Sequence, residues 1–99
     1  MRKGLQKVMD GEVKRCGNYH YEYNSETDVT EVFYHTTCIC AYSDKLKIFF
    51  ADHRGFYTTS TSQAVNGARH WCEYRGYTEV TVDEFKEKTG AECKVGGWA

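Results

Sequence analysis

The sequence predicts an α+β fold: a three-stranded antiparallel meander covered by one main helix, with a short C-terminal helix. Three observations lead there. Tyr19, Tyr21 and Tyr23 alternate with His20 and Glu22, the period of two that marks a strand. Two further runs rich in β-branched and aromatic residues follow after short polar turns, which implies antiparallel neighbours. A capped stripe of apolar residues at helical period comes next.

Residues 1–10 carry Leu5, Val8 and Met9 and read as a short helix without a clear cap. Gly11 and Gly17 then punctuate the chain. Residues 18–24 form the first expected strand, and Asn24-Ser25-Glu26-Thr27-Asp28 is turn chemistry. Residues 30–42 read as one longer second strand, Ser43-Asp44 as a turn, and residues 46–51 as the third strand.

Charges orient the sheet. With Glu22, Glu31, Lys45 and Lys47 facing water, the helix side collects Tyr19, Tyr21, Tyr23, Val32, Tyr34, Cys38, Cys40, Leu46, Ile48 and Phe50. That choice leaves Phe33, Ile39 and Phe49 on the outer face. It also requires a three-residue turn or a bulge, and one slipped residue reverses it.

The main helix has the firmest local signals. Ser60 and Gln63 fit a capping box, and Ala64, Val65, Ala68, Trp71 and Cys72 form one apolar stripe. Arg69 and Glu73 pair on the wet side, and Gly76 sits where such a helix stops. Residues 77–80 read as a short edge strand. Residues 81–88 form a second helix, with Thr81 and Glu84 as its capping box, Val80 and Phe85 as a hydrophobic staple, and Gly90 as its stop. The tail, residues 91–99, holds Cys93 and Trp98.

Ninety-nine residues make one domain, 1–99. Hydrophobic content of 40% and charged content of 27% are those of a globular chain. A formal net charge of -1 argues against a protein that works by coating phosphates, and against an acidic mimic of nucleic acid. The charge is uneven: Arg2, Lys3, Lys7, Lys14 and Arg15 open the chain, and Glu22, Glu26, Asp28 and Glu31 follow. No run reaches the length of a membrane span, and no signal peptide is expected. The five cysteines are then expected in a reducing compartment, the cytoplasm, and an odd number cannot pair fully within one chain.

No phosphate-binding glycine loop, nucleophile elbow or metalloprotease helix motif is present, so the chain is not expected to be an enzyme. Metal binding is the chemistry its residues suggest. Cys38 and Cys40 are expected on one strand face, Cys16 opposite that end of the strand, and Cys72 delivered there by the helix, with Cys93 in reach. Such a set suits structural zinc, which takes four sulfur or nitrogen ligands in a tetrahedron. The other reading is a set of buried free thiols, which behave as small hydrophobes. His70 is an alternate ligand, and His20, His35 and His53 are expected at the other end of the sheet. Eight tyrosines suit protein docking, with Tyr19, Tyr21 and Tyr23 beside Glu26, Asp28 and Glu31 as the expected partner-binding face.

Gly55-Phe56-Tyr57-Thr58-Thr59-Ser60-Thr61-Ser62, followed by Asn66, resembles a signature of small phage-encoded accessory proteins. Upstream, His35-Thr36-Thr37-Cys38-Ile39 resembles a strand of the same family, with Thr36 in place of its usual Gly; that family's pattern lacks these cysteines. The resemblance covers roughly residues 30–68 and implies a viral accessory protein without an assigned activity. In size and kind the chain is also similar to type II anti-CRISPR proteins. That likeness implies a zinc-bearing monomer in the bacterial host cytoplasm, docking on a Cas9-type nuclease. The rival reading is a small nucleic-acid-binding phage accessory domain that uses the tyrosines and the basic first segment, with affinity falling steeply with salt. A small enzyme with a Cys nucleophile is a third, and would show one unusually reactive thiol.

Overall fold

The computed structural model describes residues 2–96, so Trp98 lies outside the described residues. The elements in chain order are α1 (Lys3–Met9), β1 (Arg15–Cys16), β2 (Tyr19–Asn24), β3 (Val29–Tyr34), β4 (Thr37–Ser43), β5 (Ile48–Ala51), α2 (Thr59–Tyr74), β6 (Thr78–Glu79) and α3 (Val82–Thr89).

The run expected as one long second strand is two strands. Tyr34 pairs with Thr37, so the chain reverses over His35 and Thr36 alone. His35 adopts a φ of 58°, a left-handed conformation uncommon outside Gly, though His enters it more often than most residues. Neither residue announces a turn, which is why periodicity runs straight through them. A second tight reversal at Gly17-Asn18 adds β1, with Cys16 opposite Tyr19.

The expected three-stranded meander under one helix is therefore incorrect. Among the described residues the sheet has six strands, in the order β1-β2-β3-β4-β5-β6. The first five are antiparallel neighbours; β6 lies parallel to β5, with α2 as the crossover that a parallel pair requires.

Helices cover both faces. Leu5, Val8 and Met9 of α1 and Ala64, Val65, Ala68, Trp71 and Cys72 of α2 pack on one face, against Tyr19, Val32, Ile39, Cys40 and Phe49. Phe85 of α3 packs on the other, with Val29, Phe33, Cys38, Ala41, Ile48, Phe50, Ala91 and Cys93. This second core gives Phe33 a buried place away from α2. It also reverses the expected facing of β5: Phe49 faces α2, while Ile48 and Phe50 face α3. Four residues, Asp44 to Lys47, join β4 to β5, which sets that parity, and Leu46 is exposed in the turn.

A bulge separates the cysteines of β4. Val32 pairs with Cys40 but Phe33 pairs with Cys38, which leaves Ile39 as the extra residue. Cys38 and Cys40 thus enter opposite cores instead of sharing a face.

The helices begin and end where the local chemistry directs, with one shift. Thr58, not Ser60, caps α2, its Oγ1 accepting from the Thr61 N–H at 3.1 Å. Gly76, at φ 83°, follows the helix C-cap. Thr81 Oγ1 accepts from the Glu84 N–H at 3.1 Å, and Gly90 ends α3 in the left-handed conformation. Arg69 does not pair with Glu73. It binds Glu79 at 3.1 Å and donates to the Ala51 carbonyl at 2.9 Å, which fastens α2 to β5 and β6.

The segment after α3 returns along β4. The Cys38 N–H donates to the Lys94 carbonyl at 2.9 Å, and the Gly96 N–H to Thr37 Oγ1 at 3.1 Å. Arg54 clamps this arrangement, donating to the Cys38 and Cys93 carbonyls at 2.9 Å each.

Candidate functional site

The five cysteines do not converge. Cys40 and Cys72 meet at 3.9 Å on the α2 face, as the return of the helix along the sheet implies. Cys16 lies at the β1 edge of that same face, against α1. Cys38 and Cys93 sit beneath the opposite face, beside Glu31. The Cys40 thiol is held well above its ordinary pKa, first by its hydrogen bond with Cys72 and then by burial.

Among the described residues, one group has the spacing of metal ligands. One carboxylate oxygen of Glu31 and the sulfurs of Cys38 and Cys93 all lie within 4.8 Å of one another. Three segments position them. Glu31 projects from β3, the bulge turns Cys38 to this face, and Cys93, at φ 49°, comes from the returning C-terminal segment. Burial raises the Glu31 pKa; the Cys93 N–H and the Cys38 thiol beside it offset part of that rise. Glu31 Oε1 is nonetheless buried without a hydrogen-bond partner among the described residues. The Cys38 thiol is also raised, chiefly by burial, and donates to the Cys40 carbonyl at 3.3 Å. An open cleft of about 490 Å³ borders the group, with His20, Glu22, Phe33, Glu92 and Lys94 in its walls.

A second feature is an aromatic groove of about 530 Å³ between the sheet and the helices. Tyr21, Tyr23 and Tyr42 line it from the sheet, Trp71 and Arg75 from α2 and its cap, Tyr77 from the start of the next segment, and Asp10 and Asp44 from loops. Tyr42 stacks on Tyr77 with ring centres 5.6 Å apart and meets Trp71 at 5.1 Å. The Arg75 guanidinium lies 3.6 Å over the Trp71 ring, and Asp10 accepts from Trp71 Nε1 at 2.8 Å and from Arg75 at 3.3 Å. Burial pushes the Tyr42 phenol up to about 12; Tyr77 is raised by burial and by its hydrogen bond to Asp44. Both hydroxyls stay neutral at ordinary pH, and that of Tyr77 is committed to Asp44.

The expected docking residues do not share one surface. Tyr19 is buried in the α1–α2 core, and Tyr21 is half-buried in the groove. Tyr23 is exposed at the groove's end and donates to Asp28 at 3.0 Å. Glu26 is exposed in the β2–β3 turn, and Asp28, at φ 55°, also accepts from the Lys45 N–H. Glu31 belongs to the other face. Tyr42, Trp71 and Tyr77 were absent from the expected set. Trp71 reads as core by its helical spacing, and only the six-strand register brings the three rings together.

The two segments that carry the resemblance also meet. His35, Thr36, Thr37 and Ile39 face Phe56, Thr58, Ser60 and Thr61 across a cavity of about 310 Å³. Most of the signature has a structural use. Gly55 turns the chain at φ 92°, Thr58 caps α2, and Ser62 bonds His53 at 3.0 Å. Asn66 accepts from Arg69 at 3.0 Å. Of the four histidines, His70 is exposed on α2 beside Glu73, and none lies in the metal-type group.

No family model, curated protein or solved structure matches the chain. Among the described residues, no helix is long and apolar enough to cross a membrane.

Proposed function

We propose that this domain is a protein-docking module that acts by binding and not by catalysis. In the setting that the phage-like signature implies, it is an inhibitor of a host defence nuclease of the Cas9 type. The aromatic groove carries this reading. Four tyrosines and a tryptophan around one open groove supply large, stiff contact area, the composition on which binding energy concentrates at protein interfaces.

The occupant that suits the groove is a protein loop bearing arginine. Arg75 over Trp71 and Lys47, 5.3 Å from the Tyr77 ring centre, show that these rings already take cations. Asp10 and Asp44 line the groove and are balanced by Arg75 and Lys47, so it carries no excess of positive charge to attract phosphate. The nucleic-acid channel of a Cas9-type nuclease is lined with positive charge, so its surface offers such loops. Zinc enters this reading as a structural ion and not as a catalyst.

Size-exclusion chromatography with the host's defence nucleases tests the proposal. A stoichiometric complex is expected, weakened at least about ten-fold by Tyr23→Ala, a hot-spot-sized loss. Absence of a complex with every such effector would refute it. Binding to DNA or RNA that falls steeply with salt, with no protein complex, would move the assignment to a nucleic-acid accessory domain.

A further inference from the structure

We propose that Glu31, Cys38 and Cys93 hold one zinc ion, with the fourth coordination position open to the cleft between Glu22 and Glu92. This names the ligand set for the structural zinc in the function proposed above, and it rests on that reading.

Chemistry selects this group over the other thiols. Two sulfurs and one carboxylate form a borderline-soft donor set that zinc accepts. Cys40 and Cys72 offer only two donors, and no third ligating side chain joins them among the described residues. Tetrahedral zinc with bonds of about 2.0–2.3 Å places its ligands roughly 3.3–3.8 Å apart. The present separations, all within 4.8 Å, close to that by small side-chain rotations. Glu31 Oε1 is buried and has no hydrogen-bond partner among the described residues, and a bound cation would satisfy it.

The surroundings fit as well. Arg54 donates to the carbonyls of both cysteine ligands, holding their backbones as outer-shell partners hold metal ligands. Loading releases two thiol protons to solvent. The ion with two thiolates and one carboxylate then carries a net charge of about −1 by formal count, next to the guanidinium. His20 and the carboxylates of Glu22 and Glu92 border the open side, and water or one of these groups completes the tetrahedron. Because the ligands come from positions 31, 38 and 93, the ion ties the C-terminal segment to the sheet.

Native mass spectrometry of the full chain, purified with zinc and without strong chelator, should show one zinc per chain. Titration of the reduced, metal-free chain with Co²⁺ should give sulfur-to-cobalt charge-transfer absorption. Cys93→Ser should weaken that absorption and its affinity by more than the roughly 10–100-fold typical of losing an outer-shell partner. Glu31→Gln should weaken affinity likewise while circular dichroism stays native, since its side chain is partly exposed and its loss opens no core. Cys16→Ser and Cys72→Ser should bind as the wild type does. Wild-type affinity in both Glu31→Gln and Cys93→Ser, or loss confined to Cys40→Ser and Cys72→Ser, would overturn this ligand set while leaving a zinc protein. No metal uptake by any form would overturn the zinc reading itself, with the docking test unaffected.

Discussion

Cys38 and Cys40 stand two residues apart on one strand and point into opposite cores. The Ile39 bulge between them is the cause. Side chains two apart on a regular strand share a face, so one extra residue changes which thiols can meet. The bulge gives each cysteine its own partner, Cys72 at 3.9 Å for Cys40 and Cys93 for Cys38.

The second core rests on one large side chain of α3. Phe85 is fully buried and meets Phe50 edge-on at 5.4 Å. Phe85→Ala should cost about 3–5 kcal/mol, the range for deleting a buried phenyl group. Urea denaturation checks the value. A loss below about 1 kcal/mol would mean that α3 contributes little to the fold.

Arg54 should behave as a clamp. Arg54→Ala removes two charge-assisted bonds to the Cys38 and Cys93 carbonyls, and a loss of about 2 kcal/mol is expected. The Cys38 amide, bonded to the Lys94 carbonyl, should then exchange with deuterium faster than the β2–β3 amides do. Arg54→Lys should restore little, because one ammonium does not reproduce the two-pronged contact.

Capping separates two neighbouring hydroxyls. Thr58→Ala should destabilise by about 1 kcal/mol, since Thr58 Oγ1 serves the Thr61 N–H. Ser60→Ala, inside the first turn, should change stability by less than about 0.5 kcal/mol. Thermal melts of the two variants decide between them. The reverse ranking would restore Ser60 as the cap.

Alkaline stability should depend on Tyr42. Its folded pKa, about 12, lies above the ordinary value of 10.0 because burial disfavours the phenolate. The unfolded chain therefore releases this proton first. The stabilisation is complete below pH 10 and is lost as pH rises towards 12. Tyr42→Phe should remove part of the decline of stability between pH 10 and 12, read as urea midpoints against pH, the remainder belonging to Tyr77, whose pKa is raised as well. An unchanged decline would show that Tyr42 does not govern it.

The helices were legible because their signals are local. The stripe ending at Trp71 and Cys72, the cap at Thr81 and the stops at Gly76 and Gly90 all lie within a few residues of what they control. The sheet was less legible because its decisive events are tertiary. His35 takes a positive φ without being Gly, and Ile39 bulges in a run of good strand formers. Phe33 on the supposed outer face was the available sign of a second covered face. The meeting of Cys40 and Cys72 followed from the helix's return across the sheet. That of Cys38, Cys93 and Glu31 did not, because it needed the bulge and the returning C-terminal segment together.

The sheet's outermost strands, β1 and β6, are each two residues long. Each covers its neighbour only in part: β1 pairs with Tyr19 and His20 of β2, and β6 with Ile48 and Phe49 of β5. The open border of the sheet therefore continues along Glu22, Tyr23 and Asn24 of β2, a stretch shorter than an ordinary strand and carrying the charge of Glu22.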